Sequence, residues 1–213
     1  MSTRVPEASA PDADARSTRD RILDAAEEVF AEKGLAAAPV RDIAARVGLN
    51  AGSLYNHFRG KEELYEAVLE RGLTPVLETV TEQLLAAGTP GRDEETLDRI
   101  VTHFATNPHL ARLIQYEVLA GGGRIAGLAA RFFGPLYERG VEALRASRAG
   151  GQWPEHELPL LLFGFQNLVV GYFAMAPFAG LLLGEDPFSE PALQRQKQFL
   201  HKVARLLMPL PPG

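Results

Sequence analysis

A run of small, hydroxyl, phenol, amide and imidazole side chains lies just before a lysine near residue 60. Groups of these kinds, presented by one short helix, can reach base edges and phosphate oxygens in a DNA groove. They are therefore candidates for nucleic-acid contacts. The candidate DNA-binding residues are Arg41, Asn50, Ala51, Gly52, Ser53, Tyr55, Asn56, His57 and Lys61.

The neighbouring sequence predicts two short helices that position this run. Apolar residues from Val40 to Val47 recur at i, i+3, i+4 and i+7, the spacing of one buried helical face. Gly48 can end that helix because glycine adopts the left-handed conformation without a steric cost. Asn50 can cap a second helix, which is predicted to end at Phe58 and to bury Leu54. This pattern is typical of a helix-turn-helix, whose second helix enters the major groove.

The segment resembles the TetR family of transcriptional regulators, of the TetR/AcrR type. The residues that carry the resemblance are a glycine-ended helix from Arg19 to Gly34, then VRDIAARVGL, GSLYNHF and Lys61-Glu-Glu-Leu. The match is dense over about residues 17 to 69 and covers the rest only in helical layout. The resemblance implies an all-α fold in which a three-helix DNA-binding domain precedes a helical dimerisation and ligand-binding bundle.

The same resemblance implies a regulator, expected to be a repressor, that binds a palindromic operator as a homodimer and is released by a small-molecule effector. It gives Tyr55 and Lys61 the family's phosphate contacts and brings residues 51–53 to the base edges. Packing of Tyr55 against the first helix and a solvated Lys61 are the structural alternatives. Ala51 and Pro39 depart from the polar side chain and threonine common in relatives, so the operator sequence stays undetermined.

Three regions are expected: a disordered arm over residues 1–16, a DNA-binding domain over 17–63, and an effector-binding and dimerisation domain over 64–210. The arm has no apolar core of the kind a signal peptide needs. Further helices are predicted to start at Ser17 and to span about 61–87, 94–106, 124–148, 154–176 and 189–207. Asn107 is expected to cap a sixth helix with Pro108 in its first turn.

Composition argues weakly on nucleic-acid binding. The net charge is −5, and residues 1–61 hold 9 basic and 9 acidic residues, so any positive face must come from placement rather than from a basic patch. The chain has no cysteine, which excludes disulfides and a catalytic thiol. No nucleophile-elbow, Walker or His-Glu-x-x-His motif occurs, and neither a catalytic residue nor a cofactor is predicted.

An uncharged segment of 27 residues, Leu158 to Gly184, is long enough to cross a bilayer. Gln166, Asn167 and Pro177 interrupt it, and no basic cluster flanks it. The favoured interpretation is a helix that packs on its own domain on one side and on a partner on the other, as the resemblance implies. The predicted dimer-interface residues are Phe165, Leu168, Tyr172, Phe199 and Val203.

Aromatic and polar residues on apolar helical faces are candidates for an effector cavity, although for any one of them core packing is the simpler explanation. The predicted effector-binding residues are His103, Phe104, Tyr116, Phe132, Phe133, Phe163 and Asn167. His103 and His109 lie on different predicted helices without a third ligand at a useful spacing, so no metal site is expected.

Three alternatives stay open from sequence. The chain could be a helical ligand-binding protein that has lost DNA binding, a helical enzyme that uses the cavity, or a regulator anchored in a membrane by residues 158–184. The favoured interpretation is a cytoplasmic DNA-binding regulator that forms a homodimer without a membrane segment.

Overall fold

The computed structural model describes residues 17–85, 92–128, 130, 134–146 and 152–207. Within these ranges the chain is helical, without a strand, which confirms the predicted all-α fold. The expected arm over residues 1–16 lies outside the described residues. The helices are α1 (Thr18–Ala37), α2 (Val40–Arg46), α3 (Ala51–Leu54), α4 (Lys61–Leu85), α5 (Arg92–Thr106), α6 (Leu110–Leu119), α7 (Gly123–Leu128), α8 (Gly134–Ala146), α9 (Leu158–Ala174), α10 (Ala176–Leu183) and α11 (Glu190–Leu207).

Helix α1 starts and breaks at the residues that the sequence indicates. Ser17 Oγ accepts a hydrogen bond of 3.1 Å from the Asp20 amide and so satisfies a donor that the helix leaves free. Gly34 leaves the helical conformation with φ 69° and ψ 165°, a region that glycine enters without a steric cost. One further turn follows and ends at Ala37.

A first hydrophobic core joins α1, α2, α3 and the first half of α4. The rings of Phe30 and Tyr65 meet edge to face with centroids 4.9 Å apart, and both side chains are fully buried. Leu54 and Phe58, on and just after α3, are buried in the same core. Leu113 of α6 also reaches it, so the first core contacts the C-terminal helices directly.

Helix α4 runs through two cores. Its buried residues up to Leu69 belong to the first core, whereas Leu73 and Leu77 belong to the second. Pro75 lies inside α4 and cannot donate the backbone hydrogen bond to residue 71, which favours a bend. At Gly72 the helix approaches α6 so closely that an added Cβ would lie 2.6 Å from Leu110 Cδ1.

The second core is formed by the end of α4 with α5, α6, α9 and α11. Its centre is the stacked pair Phe104 and Phe173, whose ring centroids are 5.6 Å apart. A smaller cluster joins α8 to the start of α9 around Leu144, Leu158 and Leu161.

Several predicted helix limits are wrong. α3 ends at Leu54, and residues 55–57 form turns closed by i to i−3 bonds, such as His57 N to Leu54 O at 2.9 Å. Asn107 does not cap α6. Its amide instead donates to the His103 carbonyl at 2.8 Å, at the end of α5, and α6 starts at Leu110.

The two predicted long helices have different outcomes. The predicted helix over 124–148 is described as α7 and α8, and residues 129 and 131–133 between them lie outside the described residues. The predicted helix over 154–176 begins as a single 3₁₀ turn, Glu155–Glu157, and ends at Ala174 before α10.

Helix α9 buries one stripe of its surface. Leu158, Leu161, Phe165, Val169 and Phe173 are buried at spacings of three and four residues, whereas other apolar side chains of α9 face outward. The stretch Glu155–Ala174 is long and apolar enough to cross a membrane by length and composition, and 28% of it is buried within the protein. A helix half covered by its own domain has the same composition.

Candidate nucleic-acid interface

Local backbone chemistry sets the direction of α3. Gly48 has φ 71°, a conformation that lets the chain turn sharply after α2. Asn50 Oδ1 then accepts the Ser53 amide at 2.8 Å, which confirms the predicted cap of the second helix. Gly52 fits against this cap, since a Cβ there would lie 3.1 Å from Asn50 Oδ1. The turn and the cap therefore orient α3 on the first core.

The polar side of α3 and its following turn points away from that core. Tyr55 is 51% exposed, and Asn56 and His57 are exposed beside it. Ala51 and Ser53 are partly exposed. Burial of Leu54 and Phe58 holds the backbone beneath them, so the outward groups share a rigid base.

Lys61 makes hydrogen bonds within its own chain. Its amino group donates to the carbonyls of Ala36 at 3.1 Å and Ala38 at 3.2 Å, at the C-terminal end of α1. A cation is favourable there because the last carbonyls of a helix carry partial negative charge. In this arrangement Lys61 joins the start of α4 to the end of α1.

Many basic side chains near α3 are engaged by acidic residues of the same unit. Arg46 contacts Glu28 at 2.6 Å and Glu32 at 2.9 Å, and the hydrogen bond to Glu32 raises the pKa of the Arg46 guanidinium. The hydrogen bond from Lys33, at 2.7 Å, lowers the pKa of the Asp42 carboxyl. These pairs link α1 to α2 and leave little of their positive charge available for an external anion.

Two highly exposed guanidinium groups lie near the two ends of the α2–α3 unit along the chain. The Arg41 side chain is 85% exposed with Asp42 at 3.6 Å, and that of Arg59 is 94% exposed with Glu63 at 3.7 Å. Contacts this long and this exposed are weak. The guanidinium of Arg19 instead stacks 4.8 Å above the Phe58 ring.

The predicted effector residues do not share one cavity among the described positions. Phe104 is 2% exposed in the second core, while Tyr116 and Phe163 are exposed. Asn167 is exposed and donates to the Phe163 carbonyl of its own helix at 2.8 Å. Phe132 and Phe133 lie outside the described residues.

His103 is the one predicted effector residue that lines a groove. Its Nε2 lies 2.8 Å from the Gly72 carbonyl oxygen, where α4 approaches its bend. The groove, between α4 and α5, has a volume of about 620 Å³ and is lined by two residues of α4 and six of α5. Pattern analysis missed these other lining residues because most are hydroxyl and charged groups on a solvated face.

The predicted dimer-interface residues differ in how much of each is exposed. Phe165 lies in the core of its own protomer with 8% exposure, so the structure does not present it to a partner. Leu168 and Phe199 are exposed, and Tyr172 and Val203 are partly buried. Within the described part of the chain, no group of three or more His, Asp or Glu side chains could hold a metal ion.

The Asn50 cap gives a stability prediction. Asn50→Ala should lower the free energy of unfolding by about 1 kcal/mol, whereas Asn50→Asp, which keeps an acceptor, should stay close to wild type. Chemical denaturation followed by circular dichroism measures both. Equal losses in the two variants would show that the side-chain acceptor does not stabilise α3.

Comparison with known proteins also indicates a helix-turn-helix of the DNA-binding kind. Residues 22–68 match the family model described as bacterial regulatory proteins, tetR family. The chain is 42% identical over 84 residues to the HTH-type transcriptional repressor KstR2 of Rhodococcus jostii, covering 39% of this chain and 40% of that protein. Over 109 residues it is 31% identical to the HTH-type transcriptional repressor SCO4008 of Streptomyces coelicolor, covering 51% and 54% of the two chains. The matched segments thus span only about half or less of these relatives.

Solved structures extend the likeness to the whole fold. The ketosteroid transcriptional regulator KstR2 of Mycobacterium tuberculosis matches with a TM-score of 0.71 at 22% identity, over 91% of this chain and 96% of that one. The two relatives of this chain given above are named transcriptional repressors, and the matched family model describes regulatory proteins, which are not a class of enzymes. Residues 22–68 of this all-helical chain therefore form a helix-turn-helix domain of the kind found in tetR-family transcriptional regulators.

Proposed function

We propose that the protein is a cytoplasmic repressor that binds a palindromic operator as a homodimer and is released by a small-molecule effector. One observation carries the proposal: α3 and its turn expose small and polar groups from a rigid base, with Leu54 and Phe58 buried below. In a homodimer, two such helices would enter major grooves about one helical turn apart. A dimer bound over a promoter would exclude polymerase.

The proposed contacts divide by chemistry. Residues 51–53 approach base edges, where Ala51 can meet a thymine methyl and Ser53 can donate or accept. Tyr55, Asn56 and His57 bind phosphate oxygens or base edges, and Asn50 holds the helix N-terminus. Arg41 and Arg59 supply long-range attraction. Lys61 has three N–H donors, of which two bond to carbonyls of α1, so the third can bond to a phosphate.

The outward face of α9 supports the proposed dimer. Leu160 and Leu168 are 66% and 38% exposed, and Gly164 and Gly171 between and after them have open space within 4 Å of an added Cβ. These residues, four, four and three apart, form one stripe that combines apolar area with room for a close helix approach. On α11, Phe199 and Leu206 are 50% and 68% exposed. Burial of both faces by a second copy would remove this apolar area from water.

The proposed switch uses α4, which is shared by both cores. The Arg71 guanidinium binds Asp24 at 2.7 Å and Glu27 at 2.8 Å, so the first half of α4 moves with α1. One residue further along α4, the ring of His103 on α5 contacts the Gly72 carbonyl at 2.8 Å. A ligand that displaces α5 would shift α4 and the spacing of the two α3 helices. Effector and operator must then weaken each other by the same factor.

DNA selection tests the proposal with two variants that spare the fold. Wild-type protein should enrich a short palindrome from genomic fragments. Tyr55→Phe, which removes only the phenol oxygen, should weaken binding to that site about tenfold. Arg41→Gln should lower the slope of log affinity against log salt by about 0.9 per protomer.

Arg139→Gln is the matched charge control, because Arg139 is exposed on α8, away from α3 and from the proposed dimer faces of α9 and α11. It should leave both affinity and slope unchanged. If folded wild-type protein enriches no sequence, the chain has the fold of a repressor without its DNA recognition. A ligand that binds tightly but leaves operator affinity unchanged contradicts the proposed switch.

The α9 stripe makes a separate prediction about assembly. Leu168→Arg should convert the dimer into a monomer, because each protomer would bury an unpaired guanidinium in the dimer interface. It should also abolish high-affinity operator binding. Leu119→Arg, at a position 76% exposed on α6, is the control and should stay dimeric. Sedimentation equilibrium measures the mass of the assembly. A dimeric Leu168→Arg protein would show that the dimer interface does not include this face of α9.

A further inference from the structure

A largely buried threonine, without a hydrogen-bond partner among the described residues, lines the groove between α4 and α5. Thr79 is 7% exposed and lines the groove. Two other threonines of α4, Thr74 and Thr81, each donate to the carbonyl four residues earlier at 2.7 Å, as helical threonines commonly do. Thr79 makes no hydrogen bond within the described part of the chain. The Thr79 hydroxyl oxygen is not among the fully buried unpaired atoms, so it is open to the groove, where water or a groove occupant can bond to it.

The charges that line the groove do not balance. Glu95 forms no ion pair among the described residues, and Asp98 lies three residues further on the same face of α5. Asp98 Oδ1 is 2.9 Å from His201 Nε2 on α11. The lining guanidinium, Arg99, is bound by Glu82 at 2.7 Å. The hydrogen bond to Glu82, and also the nearby charge of Glu95, raise the pKa of Arg99. The groove lining thus holds two carboxylates and one guanidinium, and Arg99 offsets only part of the negative charge.

The floor of the groove at His103 is held by neighbouring groups. The Gly72 carbonyl can only accept, so Nε2 of His103 donates to it, and Nδ1 is left facing the Asn107 amide at 3.5 Å. With both nitrogens engaged, His103 offers a ligand its ring face rather than a free polar atom. The groove is open to solvent along one side and has a volume of about 620 Å³, which gives room for a small molecule.

We infer that this groove binds a small organic cation, with an ammonium group between Glu95 and Asp98 and a hydrogen-bonding group directed to Thr79. Two carboxylates and three lining threonine hydroxyls suit an amine, whereas an anionic ligand would meet uncompensated carboxylate repulsion. The site would be the effector site of the proposed function, and only its effect on DNA rests on that function. Contact with His103 would act on α4 at Gly72.

Titration of the full-length dimer in the absence of DNA tests the site itself. Phenethylamine, choline and spermidine are the cationic probes, and 2-phenylethanol and phenylacetate are the neutral and anionic matches of the first. Amide ¹⁵N–¹H spectra should show saturable shifts at Thr79, Glu95 and Thr102 with at least one cation. The neutral and anionic matches should produce none at the same concentration.

Two groove variants and one control identify the contacts. Glu95→Gln should weaken cation binding about three- to tenfold. Thr79→Val, which keeps the shape and removes the hydroxyl, should weaken a hydroxyl-bearing cation such as choline more than phenethylamine. Glu78→Gln, the same change at an exposed residue of α4 outside the groove, should leave binding unchanged.

Three outcomes would overturn the inference: no cation shifts these amides, the neutral match binds equally, or Glu95→Gln and Glu78→Gln weaken binding to the same degree. Operator affinity is then measured separately, with and without the bound cation. Saturable binding in the groove with unchanged operator affinity would retain the cation site and contradict the switch. Loss of all DNA recognition would contradict the proposed function and leave the site intact.

Discussion

Helix α4 packs into two hydrophobic cores at once, and this double burial constrains everything around it. Leu64 to Leu69 close the core that supports α3, and Leu73 and Leu77 close the core of α5, α9 and α11. Between them, Arg71 binds two carboxylates of α1, and Gly72 lies against Leu110 of α6. Displacement of one half of α4 therefore acts on contacts of the other. The domain boundary predicted at residue 63 stays a prediction, and the first core includes α4 side chains as far as Leu69.

The part of the fold nearest α3 was predictable because its signals are local. Gly48 and Asn50 act within a few residues of the backbone they control, and both have the expected conformation or bond. The length of α3 was not predictable from the spacing of apolar residues. Phe58 is buried although it follows a turn, and a longer helix would bury it equally well. Asn107 shows a related ambiguity. An asparagine amide both donates and accepts, so it can serve the end of one helix as readily as the start of the next.

The C-terminal half was harder to predict because its composition does not show which face of each helix is buried. Helix α9 is apolar on nearly every side, so the sequence does not tell which side its own domain covers. For this reason Phe165, which was expected in the dimer interface, is buried in the core of its own protomer. Phe163, which was expected in an effector cavity, is exposed. The charges near α3 pose the same problem. Arg46 counts as positive charge in the sequence, but two glutamates of α1 engage it in the fold. The polar groove beside Thr79 has no sequence signature at all, because its lining residues come from two helices.

Native-state amide hydrogen exchange along α4 is the most direct test of the account. If the helix is shared between two cores, residues 64–70 should open with the same free energy as the centre of α1, and residues 77–83 with that of α5 and α9. A change in protection should fall between Arg71 and Pro75, where the helix lacks a backbone donor. Uniform protection along the whole of α4, equal to that of only one core, would contradict the claim that α4 links two separately stabilised units.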